Sequence, residues 1–234
     1  MEWLTVTLQI YRRATSRAAT LALRNWPVLG SVFAYGLIVF VAANFAMLLG
    51  IVGGFLLSLV SAACMGSFLY LVEMMVRTSK VSWEDFGRSF SAYLWDVIGV
   101  MFVLWIFQLV AVPVLLQSQQ GGLILLCIYI AMLAFFNAVP ELIYLGHHRA
   151  LELLAESYRF VTDNWIEWFP PNVVLMAGFY ALWQFRPSHT AAALLQTAAL
   201  ALFGYFAMVL RGFLFIELAG SSRRGRAFRH RSGM

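Results

Sequence analysis

Six long apolar stretches, residues 28–49, 51–76, 97–116, 121–145, 168–185 and 190–219, constrain this chain more than any other feature. A helix needs about 20 residues at ~1.5 Å each to cross ~30 Å of hydrocarbon. Five of the six stretches reach that length. The exception, "WFPPNVVLMAGFYALWQF", is shorter, and Pro170 and Pro171 are expected to mark the first turn of its helix. With 62% hydrophobic and 12% charged residues over 234 positions, a water-soluble domain could not bury the apolar surface; a bilayer can accept it. The expected fold is an all-α polytopic membrane protein with six transmembrane helices, occupying residues 1–220 as one domain and followed by a basic tail, 221–234.

Charge placement orients the spans. The connections "GIVGG" and "LQSQQGG" carry no charge, and "QFRPSHT" carries only Arg186. Every other Lys and Arg of the 16, and all 11 acidic residues, fall at the opposite ends of the spans. The positive-inside rule therefore places both termini and the two long inter-span loops in the cytoplasm. The net charge of +5 then describes a surface facing anionic lipid headgroups, with no nucleic-acid partner expected. The N-terminus lacks the order of a signal peptide, because its basic residues follow the first apolar patch. Tyr11 to Trp26 reads as a basic interfacial helix. Cys64 and Cys127 lie in different spans without companion ligands, so neither a disulfide nor a metal is expected, and no cofactor.

The chain also repeats. "YRRATSRAATLALRNW", "KVSWEDFGRSFSAYLW" and "ALELLAESYRFVTDNW" end at Trp26, Trp95 and Trp165, which are 69 and 70 residues apart. Two apolar spans follow each, giving three units of interfacial helix plus transmembrane hairpin, about 11–80, 80–149 and 150–220. Each tryptophan would anchor a joint at headgroup level. The second span of every unit carries a glutamate, Glu73, Glu141 or Glu217, placed 47, 46 and 52 residues after its tryptophan. A carboxylate in a span is costly unless it meets a cation. Arg17, Arg24, Arg88 and Arg159 on the interfacial segments are candidates, and Arg211 lies deepest. Arg211 and Glu217 point about 120° apart on one helix, so Glu73 or Glu141 is the better partner for Arg211. These four residues are either ion-pair clamps or the lining of a path for a proton, ion or headgroup.

Gly50, Gly54, Ser58, Ala62 and Gly66 recur at four-residue spacing and suggest a stripe for close helix packing, within the chain or between copies. Pro113 and Pro140 should kink the third and fourth spans. Gln108 and Gln196 are expected to hydrogen-bond between helices. His147 and His148 are adjacent and make a poor chelating pair, and His189 has no acid on its side of the membrane. No catalytic motif of the HExxH, GxSxG or phosphate-loop type occurs, so no enzymatic activity is expected.

The stretch "AVPELIYLGHHRALELLAESYRFVTDNWIEWFPPNVVL", with its proline-containing span end, central Ser157 and Asn-Trp pair, resembles a group of bacterial six-span integral membrane proteins. That group includes the membrane portion fused to some glycerophosphodiester phosphodiesterases. "GSFLYLVEMMVRTSKVSWEDFGRSFSAYLW" is similar to the corresponding earlier loop. The resemblance implies an inner-membrane helical protein and carries over no catalytic residue. Two functions stay open: an accessory or scaffold subunit that acts on lipids or partner proteins at the cytoplasmic leaflet, or a small transporter or channel with a glutamate- and arginine-lined path.

Overall fold

The longest helix in the computed structural model, which describes residues 2–146 and 150–220, runs as α2 from Trp26 to Thr78, yet it is folded double. A straight helix of 53 residues would reach about 80 Å. Instead Asn25, just before its start, donates a hydrogen bond to the Ser79 carbonyl just past its end (3.4 Å). Its Oδ1 also accepts the Val81 N–H (3.2 Å). The reversal is at Gly50, whose φ of 56° and ψ of −128° suit the first central position of a type II′ turn and favour glycine. Gly53 completes the turn: a Cβ there would sit 2.0 Å from the Ala46 carbonyl oxygen.

Seven other helices complete the described chain: α1 (Glu2–Arg24), α3 (Trp83–Ala92), α4 (Leu94–Leu116), α5 (Gly121–Phe135), α6 (Val139–Leu145), α7 (Ala150–Gln184) and α8 (Thr190–Ala219). No strand occurs among the described residues. Four stretches are long and apolar enough to cross a membrane: Trp26–Thr78, Trp83–Leu116, Gly121–Leu145 and Thr190–Ala219. In the first two only 11% of the most apolar stretch is buried. Phe40, Phe45, Leu48 and Phe55 all point outward. Apolar surface turned outward on this scale fits a hydrocarbon solvent and not water.

The chain forms two compact, interleaved units that do not follow the repeat boundaries. One unit takes the chain up to Ile38, Leu71–Asp85 and the chain from Asn164 onward. Within it α1 packs on α8. The buried face of α1 is Ile10, Ala14, Ala18 and Ala22, a four-residue spacing of mostly small side chains that lets backbones approach. Arg12, Arg13, Arg17 and Arg24 occupy its exposed face. Tyr205 of α8 donates its hydroxyl hydrogen towards the carbonyls of Ala22 (3.2 Å) and Asn25 (3.1 Å), at the joint between α1 and α2. Gln196 on α8 donates to the carbonyls of Leu182 (2.9 Å) and Phe185 (2.7 Å), closing α7 and α8 into a hairpin as its expected interhelical role requires.

The other unit takes Val39–Tyr70 and Phe86–Asp163. There the Ser67 and Ser89 hydroxyls, both fully buried, hydrogen-bond and dock α3 on α2. Gly66 lets the same arm of α2 meet the α3–α4 joint, since a Cβ would lie 3.1 Å from the Tyr93 carbonyl carbon. The fourth apolar stretch is broken between α5 and α6, with Pro140 at the start of α6 as a proline kink demands. Asn137 lies in that break, and the nearby Phe135 carbonyl accepts the Ser157 hydroxyl of α7 (2.7 Å). Pro113 stays inside α4.

Two sequence expectations need correction. Pro170 and Pro171 do not begin a helix: they lie inside α7, whose break is earlier, at Asn164 (φ −121°, ψ 16°). The backbone at Asn164 leaves helical values and breaks the helix there, and α7 continues through Pro170 and Pro171 without the bonds that N–H groups at those positions would have given to the Ile166 and Glu167 carbonyls. The residues Gly50, Gly54, Ser58, Ala62 and Gly66 are not one packing stripe. Gly50 is the turn, Gly54 has open space around it, and Ser58 is exposed with its hydroxyl bonded to the Gly54 carbonyl. Only Ala62 and Gly66 are buried.

Candidate functional site

The three tryptophans stand at three helix breaks. Trp26 follows Asn25 (φ −104°, ψ 42°), Trp95 lies two residues past Tyr93 (φ −120°, ψ 13°), and Trp165 follows Asn164. All three indoles are exposed, as side chains must be to reach a headgroup layer. Asn25 and Asn164 are both buried at their breaks, where their amides can serve backbone groups that helix ends leave unmatched.

The glutamates differ in position and surroundings: Glu73 and Glu217 lie near the C-terminal ends of α2 and α8, Glu141 near the N-terminal end of α6. Glu141, in the first turn of α6, is fully buried. Glu73 is nearly buried and pairs with Arg77 one turn further along α2 (3.0 Å). Glu217 is more exposed, and its contact with Arg17 of α1 is long, at 4.0 Å. An exposed pair at that distance contributes about 0–1 kcal/mol, so it trims the α1–α8 contact without clamping it. Arg159 pairs with Glu156 on its own helix (2.7 Å). Glu73 meets Arg77, and the Arg211 guanidinium lies 5.4 Å from the centre of the Trp168 ring. Trp168 is itself fully buried and meets Phe215 edge-on (6.4 Å). A cation over an indole face is held by the ring's quadrupole, more strongly once water is excluded.

The structure adds a carboxylate that the sequence reading passed over. Glu167, between Ile166 and Trp168, is 6% exposed. Tyr11 of α1 donates its hydroxyl hydrogen to the Glu167 backbone carbonyl (2.8 Å). Burial first, and the Glu167 charge second, push the Tyr11 phenol up to about 12. Because its folded value lies above the unfolded one of about 10, the neutral phenol stabilises the fold fully below pH 10. That contribution should fade as pH rises from about 10 to 12. Melting of the parent and of Tyr11→Phe in detergent should therefore diverge below pH 10 and converge at pH 12; parallel curves throughout would contradict the linkage.

Two concavities accompany these groups. One, about 460 Å³, opens between α1, the end of α2 and α8, beside Ser16, Arg17, Thr20 and Ser79. The other, about 630 Å³, is a groove between the second half of α7 and α8. Arg211 and Asn172 sit at one end of it, Tyr180 and Trp183 at the other. Among the described residues no cluster of three or more His, Cys, Asp or Glu side chains could hold a metal ion. Cys64 is buried and Cys127 exposed, both as free thiols. Gln108 is exposed, and His189 precedes α8 without a side-chain cap. His147, His148, Arg149 and the basic tail 221–234 lie outside the described residues.

No protein-family model matches this chain, and neither a curated protein nor a solved structure is significantly similar to it.

Proposed function

We propose that the chain is a non-enzymatic, six-span protein of a bacterial inner membrane, an accessory or scaffold subunit acting on lipids or partner proteins at the cytoplasmic leaflet. The six spans are the two arms of α2, then α4, then α5 with α6, the part of α7 beyond Trp165, and α8. The observation that carries this reading is one-sidedness. The turns at Gly50, at 117–120 and at 185–189 contribute a single charge, Arg186, while the other charges among the described residues lie on α1, at Lys80 between α2 and α3, on α3, on the first part of α7 and in the halves of the spans away from those turns. Polar groups available to a partner are thus concentrated at one face.

Support for three repeated units comes from the joints: each of Trp26, Trp95 and Trp165 follows a bridge-region break and precedes an apolar helix. Each unit also ends with a glutamate within its last helix. The resemblance to bacterial six-span membrane proteins points the same way, with both termini cytoplasmic.

The test is transport. In proteoliposomes the accessory reading expects proton and ion flux no greater than in empty vesicles, for the parent and for Glu141→Gln and Arg211→Gln alike. Flux in the parent that disappears in both variants would replace this reading by the transporter or channel one.

A further inference from the structure

We propose that the groove between α7 and α8 holds one acyl chain of an anionic phospholipid, with the lipid phosphate on Arg211. This deepens the reading above, and rests on it in one respect: the groove must open onto a bilayer.

The shape argues for a chain and against a helix. From Asn172 to Trp183 the groove runs about 16 Å along α7 at ~1.5 Å per residue. A volume of about 630 Å³ spread over that length leaves a cross-section of roughly 40 Å². A helix with side chains is about 10–12 Å across and needs roughly twice that. The volume itself falls within the ~300–1,000 Å³ usual for small-molecule sites.

The walls argue for hydrocarbon. Leu175, Met176, Phe179, Phe203, Ala207 and Met208 line it. The Phe203 ring lies across Gly178, where a Cβ would come within 2.7 Å of it, and so forms the floor. Tyr180, Trp183, Leu194 and Leu195 nearby are all more than 60% exposed, so the medium at the groove's mouth in a membrane is acyl chain.

The end of the groove argues for an anion. Its lining includes one charged side chain, Arg211, and no carboxylate. A guanidinium stacked by its face on a ring meets ligands with its edge, where the fork of N–H donors matches phosphate oxygens. Asn172, 3% exposed and held by a 2.7 Å bond to the Trp168 carbonyl, presents an amide beside it. Arg211 lies about 12 Å along α8 from Ala219, a distance that an extended arginine side chain shortens towards the headgroup layer.

The experiment is native mass spectrometry of full-length protein taken from vesicles of equal phosphatidylglycerol and phosphatidylcholine with identical acyl chains. The parent should retain one phosphatidylglycerol under activation that strips phosphatidylcholine. Arg211→Gln should lose that preference by on the order of tenfold, the size of one charge-assisted contact, while Arg211→Lys keeps part of it. Gly204→Leu should retain neither lipid, because a side chain at Gly204 meets no atom within 4 Å and would grow into the groove. It also decides the matter should Arg211→Gln fail to fold. An unchanged preference in Arg211→Gln, or unchanged retention in Gly204→Leu, overturns the proposal. So does a dimer of the parent that Gly204→Leu dissociates, since the groove would then belong to a second copy. Ion flux in the parent alongside Arg211-dependent retention would sink the accessory reading and leave the lipid site standing. Absent flux with retention unchanged in both variants would sink the site alone.

Discussion

Gly53→Ala is expected to cost about 3 kcal/mol, the upper end of what overpacking usually costs, whereas Gly54→Ala, its neighbour, should cost nothing. The difference is geometric. A Cβ on Gly53 would lie 2.0 Å from the Ala46 oxygen and 2.6 Å from its carbonyl carbon, both backbone atoms that no rotamer change can move. The two arms of α2 would have to separate at the turn. A Cβ on Gly54 meets no atom within 4 Å, and alanine gains up to ~1 kcal/mol of helix propensity over glycine. Gly50→Ala should fall between them, since its positive φ costs an L-residue ~1–2 kcal/mol without a clash. Unfolding of the three variants in one detergent gives the order directly. A Gly53→Ala variant as stable as Gly54→Ala would mean that Ala46 does not close over the turn.

At the other end of the same hairpin, Asn25→Ala should cost about 2–3 kcal/mol. The side chain donates to the carbonyls of Leu21 (3.0 Å) and Ser79 (3.4 Å) and accepts the Val81 N–H (3.2 Å), at 6% exposure. Removing it takes this partner from the Ser79 carbonyl and the Val81 N–H, while the Leu21 carbonyl keeps the backbone N–H of residue 25 (3.0 Å); each unsatisfied buried group costs ~1–3 kcal/mol, partly recovered by relaxation. Asn25→Asp should be no better at neutral pH, because it keeps the acceptor for Val81 but turns a carboxylate towards two carbonyls. Tyr205 meets the same joint through the Asn25 carbonyl (3.1 Å). Asn25→Ala and Tyr205→Phe should therefore be non-additive, which a double-mutant cycle of denaturation free energies measures. Additive losses would show that the two residues hold separate parts of the joint.

Much of this architecture is legible in the residues. Apolar runs predict the long helices, and the tryptophans predict the breaks, because both signals depend on composition near one position. The glycine cluster "GIVGG" marks a turn, but which glycine supplies the dihedral and which the clearance depends on where Ala46 returns. Four-residue spacing of small side chains was the right signal in the wrong place. From Gly50 to Gly66 it is interrupted by a turn, while Ile10, Ala14, Ala18 and Ala22 carry it on α1 against α8. The arginines of α1 draw attention to a membrane surface and hide that its other face is a packing face. Glu167 was missed because its burial comes from contacts distant in sequence, Tyr11 among them. The α7–α8 groove could not be read at all, since it depends on Phe203 lying over Gly178 from another helix.

Even-numbered crossing with the ionised groups at one leaflet is the central claim, and impermeant-maleimide labelling of single cysteines in intact cells tests it most directly. In a background with Cys64 and Cys127 replaced by alanine, Ser118→Cys should label from outside, and Lys80→Cys only after the membrane is permeabilised. Both native positions are exposed, so access depends on the side of the membrane. Labelling of residue 80 in intact cells, or protection of residue 118 until permeabilisation, would contradict the account.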